Sequence, residues 1–420
     1  MKIIRDIFLI VLSATSLSGY SCTIFSCAIN GEVFAAANED DYTPFTRVWF
    51  NPATKERFGS VCFGAPDLQV AAAINEFGLF YDYTAQYGVD TSEMKFKNPF
   101  SGDLFFEIIG KCKTVDEALK LLETHDYINS SQVLLADATG KSIVINPGGK
   151  VLKQDNYQIN TNFNILDLEK GFNCFRYTTA ENMLSNAKTV SVPMMKSVLN
   201  ATHQEGNLST QYSAIYDLKR KKVYVYLFHD FENVFEIDLE TELANGYRLE
   251  SLATRFAPTF AYSSYVQNHE LYQKESWLAE IDKIGFERAK EHYLSIARNP
   301  LDAKQKTQIL DVAIQLMRDA NNKQSGGKVW EYWFGFQNGF NLKAYADERL
   351  DVAESIFEEL SESESDIKIK NFEYEMIAYL HLLRGDKKNA LVYYSKAGSD
   401  AANSYPISYD RSLEMLKKLK

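Results

Sequence analysis

Apolar and polar positions divide the chain into a strand-rich part and a helical part. From residue 22 to about 84, short apolar runs follow one another, and the dipeptide Asn30-Gly31 between two of them is the strongest short signal for a β-hairpin. Strands are predicted again within 130–163 and 212–231. Most of these runs are apolar on both faces, which is typical of a sheet covered on both sides.

Helical periodicity is present at two places among the predicted strands and throughout the C-terminal part of the chain. It appears at 103–125, where Thr114 and Glu117 are spaced as a capping box, and near 176–187. From about 265 to 420 the pattern is almost wholly helical. We therefore predict two domains, at 22–250 and 265–420.

The helical part contains a weak internal repeat. Its residues sit at the offsets of a tetratricopeptide repeat, once near 390 and once, less well, near 357. The positions are Gly385, Ala390, Tyr394 and Ala397 in one copy, and Ala353, Phe357 and Leu360 in the other. We predict an array of helical hairpins that is like this repeat.

Residues 1–21 have the pattern of a signal peptide. Lys2 and Arg5 precede the apolar run 7–17, and the small residues Gly19 and Ser21 occupy the −3 and −1 positions of a cut after Ser21. That cut would make Cys22 the first residue of an exported protein, periplasmic or secreted.

The composition argues against several classes of function and site. The 420 residues carry a formal net charge of −11, which argues against sequence-independent nucleic-acid binding. No apolar run of 18 residues follows the leader, so no membrane span is predicted in the mature chain. The five cysteines form no CxxC pair and the six histidines are scattered, so we expect no zinc-type metal site and no cofactor. The odd cysteine count predicts at least one free thiol.

A cysteine at position 1 of a mature chain has its own α-amino group beside its thiol. That amine titrates near neutral pH, so it can take the thiol proton, and one residue supplies both nucleophile and base. The amine needs an anchor. Asp40 lies across the predicted hairpin from Cys22, and we expect its carboxylate to hold the amine.

With these features the sequence resembles the cysteine branch of the N-terminal nucleophile hydrolases. This family includes choloylglycine (bile salt) hydrolase, penicillin V acylase, acid ceramidase and the isopenicillin N acyltransferase type. The resemblance covers residues 22 to about 235. It rests on Cys-Thr at 22–23 with "NED" at 38–40, "INEFGL" at 74–79, "INTNF" at 159–163, "NCFRYTTAENML" at 173–184 and the late strand pair "YSAIYDLKRKKVYVYLF".

The resemblance implies a four-layer αββα sandwich and a reaction. The reaction is hydrolysis of a linear, non-peptide amide through a Cys22 acyl-enzyme. Separately, the many aromatic residues, 25 Tyr and 27 Phe, and the acidic balance of the chain fit an apolar acyl group. Asn162 would help to form the oxyanion hole. The family's arginine three residues before the anchoring aspartate is Ala37 here, and Arg176 is the candidate replacement. Tyr83 and Thr84, which follow the glycine-leucine segment, are candidate substrate-binding residues.

Three alternatives stay open. The leader could be a lipoprotein signal with an acylated Cys22, although Tyr20 fits a lipobox badly. The chain could be a non-enzymatic binding protein that uses its C-terminal helices to contact a protein partner. An acyltransferase, in which an amine replaces water, would use the same acyl-enzyme.

The leader junction generates the first prediction. We expect a mature chain that begins at Cys22 with a free amine and has no internal cleavage, because the leader cut alone exposes the nucleophile. N-terminal sequencing and intact mass of the exported protein test this. A different first residue would rule out the mechanism, and a diacylglyceryl mass would identify a lipoprotein.

Overall fold

A computed structural model describes most of the chain after the predicted leader. The described residues are 22–65, 68–86, 97–98, 100, 103–127, 131–146, 148–170, 174–206, 208–268, 280–281, 284–299, 302–325 and 344–420. The leader therefore lies outside the described residues. Contacts divide the chain into two units, one of residues 1–66, 70–100 and 104–270, the other of residues 67–69, 101–103 and 271–420.

The first unit contains two antiparallel sheets. The strands are β1 Thr23–Ile29, β2 Glu32–Asp41, β3 Arg47–Asn51, β4 Ser60–Gly64, β5 Val70–Asn75, β6 Phe80–Thr84, β7 Gln132–Ala136, β8 Ser142–Asn146, β9 Gly149–Leu152, β10 Tyr157–Asn160, β11 Ser209–Asp217, β12 Lys222–Leu227, β13 Phe235–Asp238 and β14 Arg248–Ser251. The six-stranded sheet has the order β10-β1-β2-β11-β12-β13, and the eight-stranded sheet has the order β14-β3-β4-β5-β6-β7-β8-β9. The sequence pattern ended its strands at the β11–β12 pair. It therefore missed β13 and β14, which are short strands of four residues each.

The first hairpin forms at the predicted dipeptide. Asn30 and Gly31 have φ angles of 53° and 82°, the left-handed values that a two-residue hairpin turn requires. The turn pairs Ile29 with Glu32 and Thr23 with Asn38. Through β10 on one side and β11 on the other, this hairpin lies inside the six-stranded sheet.

Alternate residues of this hairpin pack into two different cores. Cys22, Ile24 and Ala37 belong to a cluster that also contains Phe63 and Phe80 of the other sheet, so this cluster lies between the sheets. Phe25, Cys27 and Ala36 belong to a second cluster with residues of two helices. Both faces of β1 and β2 are therefore buried, as the doubly apolar runs predicted.

Helices flank the sheets. The helices Phe175–Ser185 and Val192–Thr202 pack on the outer face of the six-stranded sheet. The helix Leu104–Lys111 contacts β5 and β6 of the other sheet. This arrangement is consistent with the predicted αββα sandwich. The unit also contains the helices Val115–Leu122, Leu239–Ala244 and Phe260–Asn268 and the 3₁₀ turns Ile165–Lys170 and Leu252–Arg255.

The "INEFGL" segment is a structural turn between β5 and β6. The Asn75 amide donates to the carbonyls of Ile109 and Cys112 at 2.9 and 2.8 Å, and its oxygen accepts from the Leu79 amide at 3.0 Å. Gly78 has φ of 80°, and a Cβ atom there would collide with the Leu218 carbonyl oxygen. Asn75 thus ties the turn to the covering helix, and only glycine fits at residue 78.

The second unit consists, in its described residues, of helices. They are Phe286–Ala297, Ala303–Ser325, Glu348–Ser363, Ile367–Leu383, Lys387–Ala397 and Pro406–Leu419. From Ala303 onward each of these helices packs on the next. The small and aromatic repeat positions Ala353, Phe357, Ala390 and Tyr394 are buried. Likeness to the tetratricopeptide repeat stays a prediction. Within the described residues, none of the helices has both the length and the apolar character needed to cross a membrane.

Candidate active site

The Cys22 thiol faces the space between the two sheets and is fully buried. Its sulfur donates to Glu39 Oε2 at 3.2 Å. Burial, followed by the charges of Glu39, Asp40 and Asp82, raises the pKa of the thiol well above its usual value, and a hydrogen bond with the Asp40 backbone opposes this shift. In the uncut chain Cys22 is therefore a neutral thiol held toward a carboxylate.

Glu39 in turn forms a carboxyl pair with Asp82 of β6. Both side chains are buried, and the two carboxyl groups hydrogen bond to each other. Two carboxyl groups can share a hydrogen bond only when one carries a proton. Burial, and then Glu39, raises the pKa of Asp82 well above its usual value, so we assign the shared proton to Asp82. A hydrogen bond with the Tyr83 backbone opposes this shift.

Asp40 points to the opposite face of β2, away from the thiol. Thr210 Oγ1 and Gln204 Nε2 each donate to its carboxylate at 2.5 Å, and Arg176 lies 3.4 Å away. Burial raises the pKa of Asp40 to about 7, although these three partners lower it. In the uncut chain the Cys22 nitrogen is a peptide nitrogen, so the contact of Asp40 with an α-amino group stays a prediction.

Arg176 connects the candidate residues. It lies near the start of the helix Phe175–Ser185, which packs on the outer face of the sheet. One guanidinium nitrogen, Nη1, donates to the Cys22 carbonyl oxygen at 3.0 Å, to Thr23 Oγ1 at 2.9 Å and to Asp40 at 3.4 Å. The other, Nη2, donates to Asn162 Oδ1 at 2.9 Å. The guanidinium therefore brings a positive charge to the backbone of Cys22 from the helix-covered face, whereas the Ala37 side chain lies on the opposite face, between the sheets.

The remaining predicted residues belong to the two different sheets: Asn162 follows a strand of the six-stranded sheet, and Tyr83 and Thr84 lie on a strand of the eight-stranded sheet. Asn162 follows β10, and its Nδ2 donates to the Ala85 carbonyl at 2.8 Å, which fixes the orientation of the amide. Thr84 is buried and shares a face of β6 with Asp82. Tyr83 points the other way and packs against Phe105 of the covering helix, with ring centroids 5.6 Å apart. Cys22, Asp40, Asn162 and Arg176 are thus brought together, and Tyr83 is not part of that group.

Sequence reasoning missed Glu39 and Asp82. A signal for Glu39 was present, because a two-residue turn that pairs residue 29 with 32 and residue 23 with 38 must place residue 39 opposite Cys22. Asp40 is one residue further on, and so it occupies the other face. Asp82 gave no such local signal, since only the packing of one sheet on the other brings it to Glu39.

A small pocket adjoins this carboxyl pair. Glu39 forms part of its wall, and so does Tyr212, whose hydroxyl is buried. The other lining residues are Asp41, Thr43, Phe45, Thr46, Gly64, Ala65, Ala71 and Gln211. The pocket reaches a residue that directly contacts the thiol.

Comparisons with known proteins give matches only among solved structures. No family model matches the chain, and no curated protein does. Penicillin V acylase from Agrobacterium tumefaciens matches with a TM-score of 0.44 and 20% identity, over 55% of this chain and 92% of that one. A mutant of the conjugated bile acid hydrolase from Clostridium perfringens matches with a TM-score of 0.44 and 14% identity, over 57% and 97%. A second variant of that hydrolase has a TM-score of 0.44 and 15% identity, over 55% and 96%.

The matched structures are of the kinds that the family resemblance names. At this level of similarity they identify neither the activity nor the substrate of this chain.

The raised pKa of Asp40 predicts a pH-dependent stability. The folded state keeps the Asp40 proton up to about pH 7, whereas the unfolded chain releases it near pH 4. The folded state thus binds more protons in this range, and the stabilisation by protonated Asp40 is lost as pH rises from 4 to 7. In the uncut chain, the free energy of unfolding of wild type relative to Asp40→Asn should fall by on the order of 4 kcal/mol over this range. Urea unfolding at several pH values measures it, and a flat difference would refute the assignment.

The carboxyl pair generates a prediction for the thiol. Glu39→Gln removes a negative charge beside Cys22, so the pKa of the thiol should fall and its alkylation by iodoacetamide should begin at lower pH. The pH profile of the alkylation rate measures this. Glu32→Gln, on the same strand at the far end of the hairpin, is the matched control and should leave the profile unchanged. Identical profiles for Glu39→Gln and wild type would show that Glu39 does not act on the thiol.

Proposed function

We propose that the chain is a hydrolase of linear, non-peptide amides, with Cys22 as nucleophile and its α-amino group, freed by the leader cut, as base. The observation that supports this most is the guanidinium of Arg176. It contacts the Cys22 carbonyl, Asp40 and Asn162 at once, three groups that sequence reasoning selected separately.

In the first half of the reaction the Cys22 sulfur attacks the carbonyl carbon of the amide. The thiol proton passes to the α-amine, and the carbonyl oxygen becomes an oxyanion. We assign the Asn162 amide as a donor to this oxyanion. The carbon–nitrogen bond then breaks, the ammonium returns the proton to the leaving nitrogen, and a thioester remains on Cys22.

In the second half, water attacks the thioester. The α-amine takes a proton from the water, the carbon–sulfur bond breaks, and the sulfur recovers the proton as a thiol. The carboxylic acid leaves. Asp40 serves throughout as the anchor of the amine, because its carboxylate is held by Thr210 and Gln204. Arg176 takes the part of the arginine that Ala37 replaces, by placing a positive charge beside the Cys22 backbone.

The carboxyl pair adds a positioning role. Glu39 accepts the hydrogen bond of the resting thiol, which fixes the direction of the sulfur between the sheets.

The side chains around the carboxyl pair indicate the class of substrate. Apolar and aromatic side chains such as Phe63 and Tyr216 pack in the core around the pair, and we propose an apolar acyl group on this basis. Export through the leader is part of the same proposal, since the base exists only after the cut.

Substitutions of the site test the mechanism. Cys22→Ala should abolish turnover and leave the fold intact, because no other group forms the thioester. Cys22→Ser should leave little activity, since a hydroxyl is far less ionised than a thiol beside the same amine. Asn162→Ala should lower kcat by roughly 100-fold or more if it is an oxyanion donor. Release of the carboxylic acid from a panel of N-acyl amides measures these rates, and circular dichroism checks the fold.

Cys27→Ala is the matched control. Cys27 is also buried on β1, but its side chain belongs to the core on the helix-covered face. It should keep wild-type turnover. Full activity of Cys22→Ala, or loss of activity in Cys27→Ala alone, would overturn the proposed function.

A further inference from the structure

Two histidines and a glutamate meet beside the segment that supports Asp40. His203 directly follows the helix Val192–Thr202, Glu205 is two residues on, and His229 lies just after β12. One ligating atom from each of the three side chains lies within 4.8 Å of the other two. The two imidazole rings face each other with centroids 5.0 Å apart and an interplanar angle of 40°.

The hydrogen bonds of His203 leave a lone pair that faces another acceptor. Its Nδ1 lies 2.6 Å from the Asn200 carbonyl oxygen, which can only accept, so Nδ1 carries the proton. In a neutral imidazole Nε2 then has a lone pair. That nitrogen lies 3.2 Å from Glu205 Oε1, which is also an acceptor. A proton or a metal ion between these two atoms would bond to both of them.

His229 is oriented in a similar way. Its Nε2 lies 3.0 Å from Ser209 Oγ, and that hydroxyl donates its own proton to the Gln204 carbonyl at 3.2 Å. Nε2 of His229 is therefore the donor, and Nδ1 carries the lone pair. Both imidazoles thus have one nitrogen fixed by an outer hydrogen bond, which is the arrangement found around metal-binding histidines.

We propose that His203, Glu205 and His229 bind one divalent cation of the zinc type. Two imidazole nitrogens and one carboxylate oxygen suit zinc, whereas calcium and magnesium prefer oxygen ligands alone. Ligands of a tetrahedral zinc ion lie about 3.3 Å apart, so the longest separation in the cluster must shorten by up to about 1.5 Å on binding. Glu205 can supply the movement, because its side chain is 73% exposed and the next residue, Gly206, has φ of 113°.

This site would stabilise the support of Asp40. Gln204, which donates to Asp40, lies between two of the ligands, and Thr210, the other donor, follows the serine that holds His229. The Gln204 backbone nitrogen also donates to Thr210 Oγ1 at 2.8 Å. A metal ion at the three ligands would therefore join the end of the helix to the end of β12 across this segment. The ion has no part in the proposed chemical steps.

Metal titration of the full chain tests the site without any measurement of turnover. The protein is prepared without a polyhistidine tag, treated with a chelator, and titrated with Zn²⁺ in a calorimeter. We expect one site per chain and a rise in Tm with Zn²⁺, because the ion binds only the folded state. Glu205→Gln, at an exposed position, should weaken binding by at least about tenfold, and His203→Ala and His229→Ala should abolish it. His125→Ala, a histidine outside the cluster, is the control.

Cobalt distinguishes this site from the free cysteines. Co²⁺ on nitrogen and oxygen ligands gives weak visible bands, which should disappear in His203→Ala. An intense near-ultraviolet thiolate band would place the metal on a cysteine and overturn the proposal. So would the absence of a stoichiometric site, or equal affinity in wild type and Glu205→Gln.

Discussion

The two-residue turn at Asn30-Gly31 pairs Thr23 with Asn38, and this register decides which face each polar side chain of the site occupies. Glu39 enters the space between the sheets with the Cys22 thiol. Asn38 and Asp40 point outward, where Asn38 bonds to the Leu199 carbonyl of the covering helix. A slip of one residue would exchange these faces and place Asp40 beside the sulfur. The turn therefore places two neighbouring carboxylates on opposite faces of the sheet. Glu39 orients the thiol on one face, and Asp40, the proposed anchor of the amine, lies on the other.

Burial of so many acidic groups is costly unless each is neutralised, since an unpaired buried charge costs several kcal/mol. The buried carboxyl groups of the site are neutralised in two ways. Asp40 receives hydrogen bonds from Thr210 and Gln204 and the charge of Arg176. Burial raises the pKa of both Glu39 and Asp82, and we assign one proton to this pair. The first arrangement suits a carboxylate that must ionise, and the second suits a pair that stays singly charged.

Features that depend on a short stretch of chain could be predicted from local sequence patterns. The Asn30-Gly31 hairpin, the doubly buried strands and the candidates Cys22 and Asp40 could be predicted from such patterns. Asn162 and Arg176 were selected through the family resemblance. Glu39 was within reach of the same reasoning, but it needed the register counted residue by residue. Asp82 and the pair His203 and His229 were not, because their partners are far away in the chain and meet only through sheet packing and the β11–β12 hairpin. The short strands β13 and β14 carry too few residues for a clear period.

Under the proposed function, the leader cut also changes the charges around Cys22. Before the cut, the neighbourhood of Cys22 holds the carboxyls of Glu39, Asp40 and Asp82, and together with burial they keep the thiol neutral. The cut converts a peptide nitrogen into an ammonium group next to Asp40. A positive charge there favours the ionised form of Asp40, whose pKa of about 7 in the uncut chain leaves it only partly ionised at neutral pH. The same charge stabilises a thiolate at the neighbouring sulfur. One hydrolysed bond would thus create the base, fix the ionisation of its anchor and make the nucleophile more acidic.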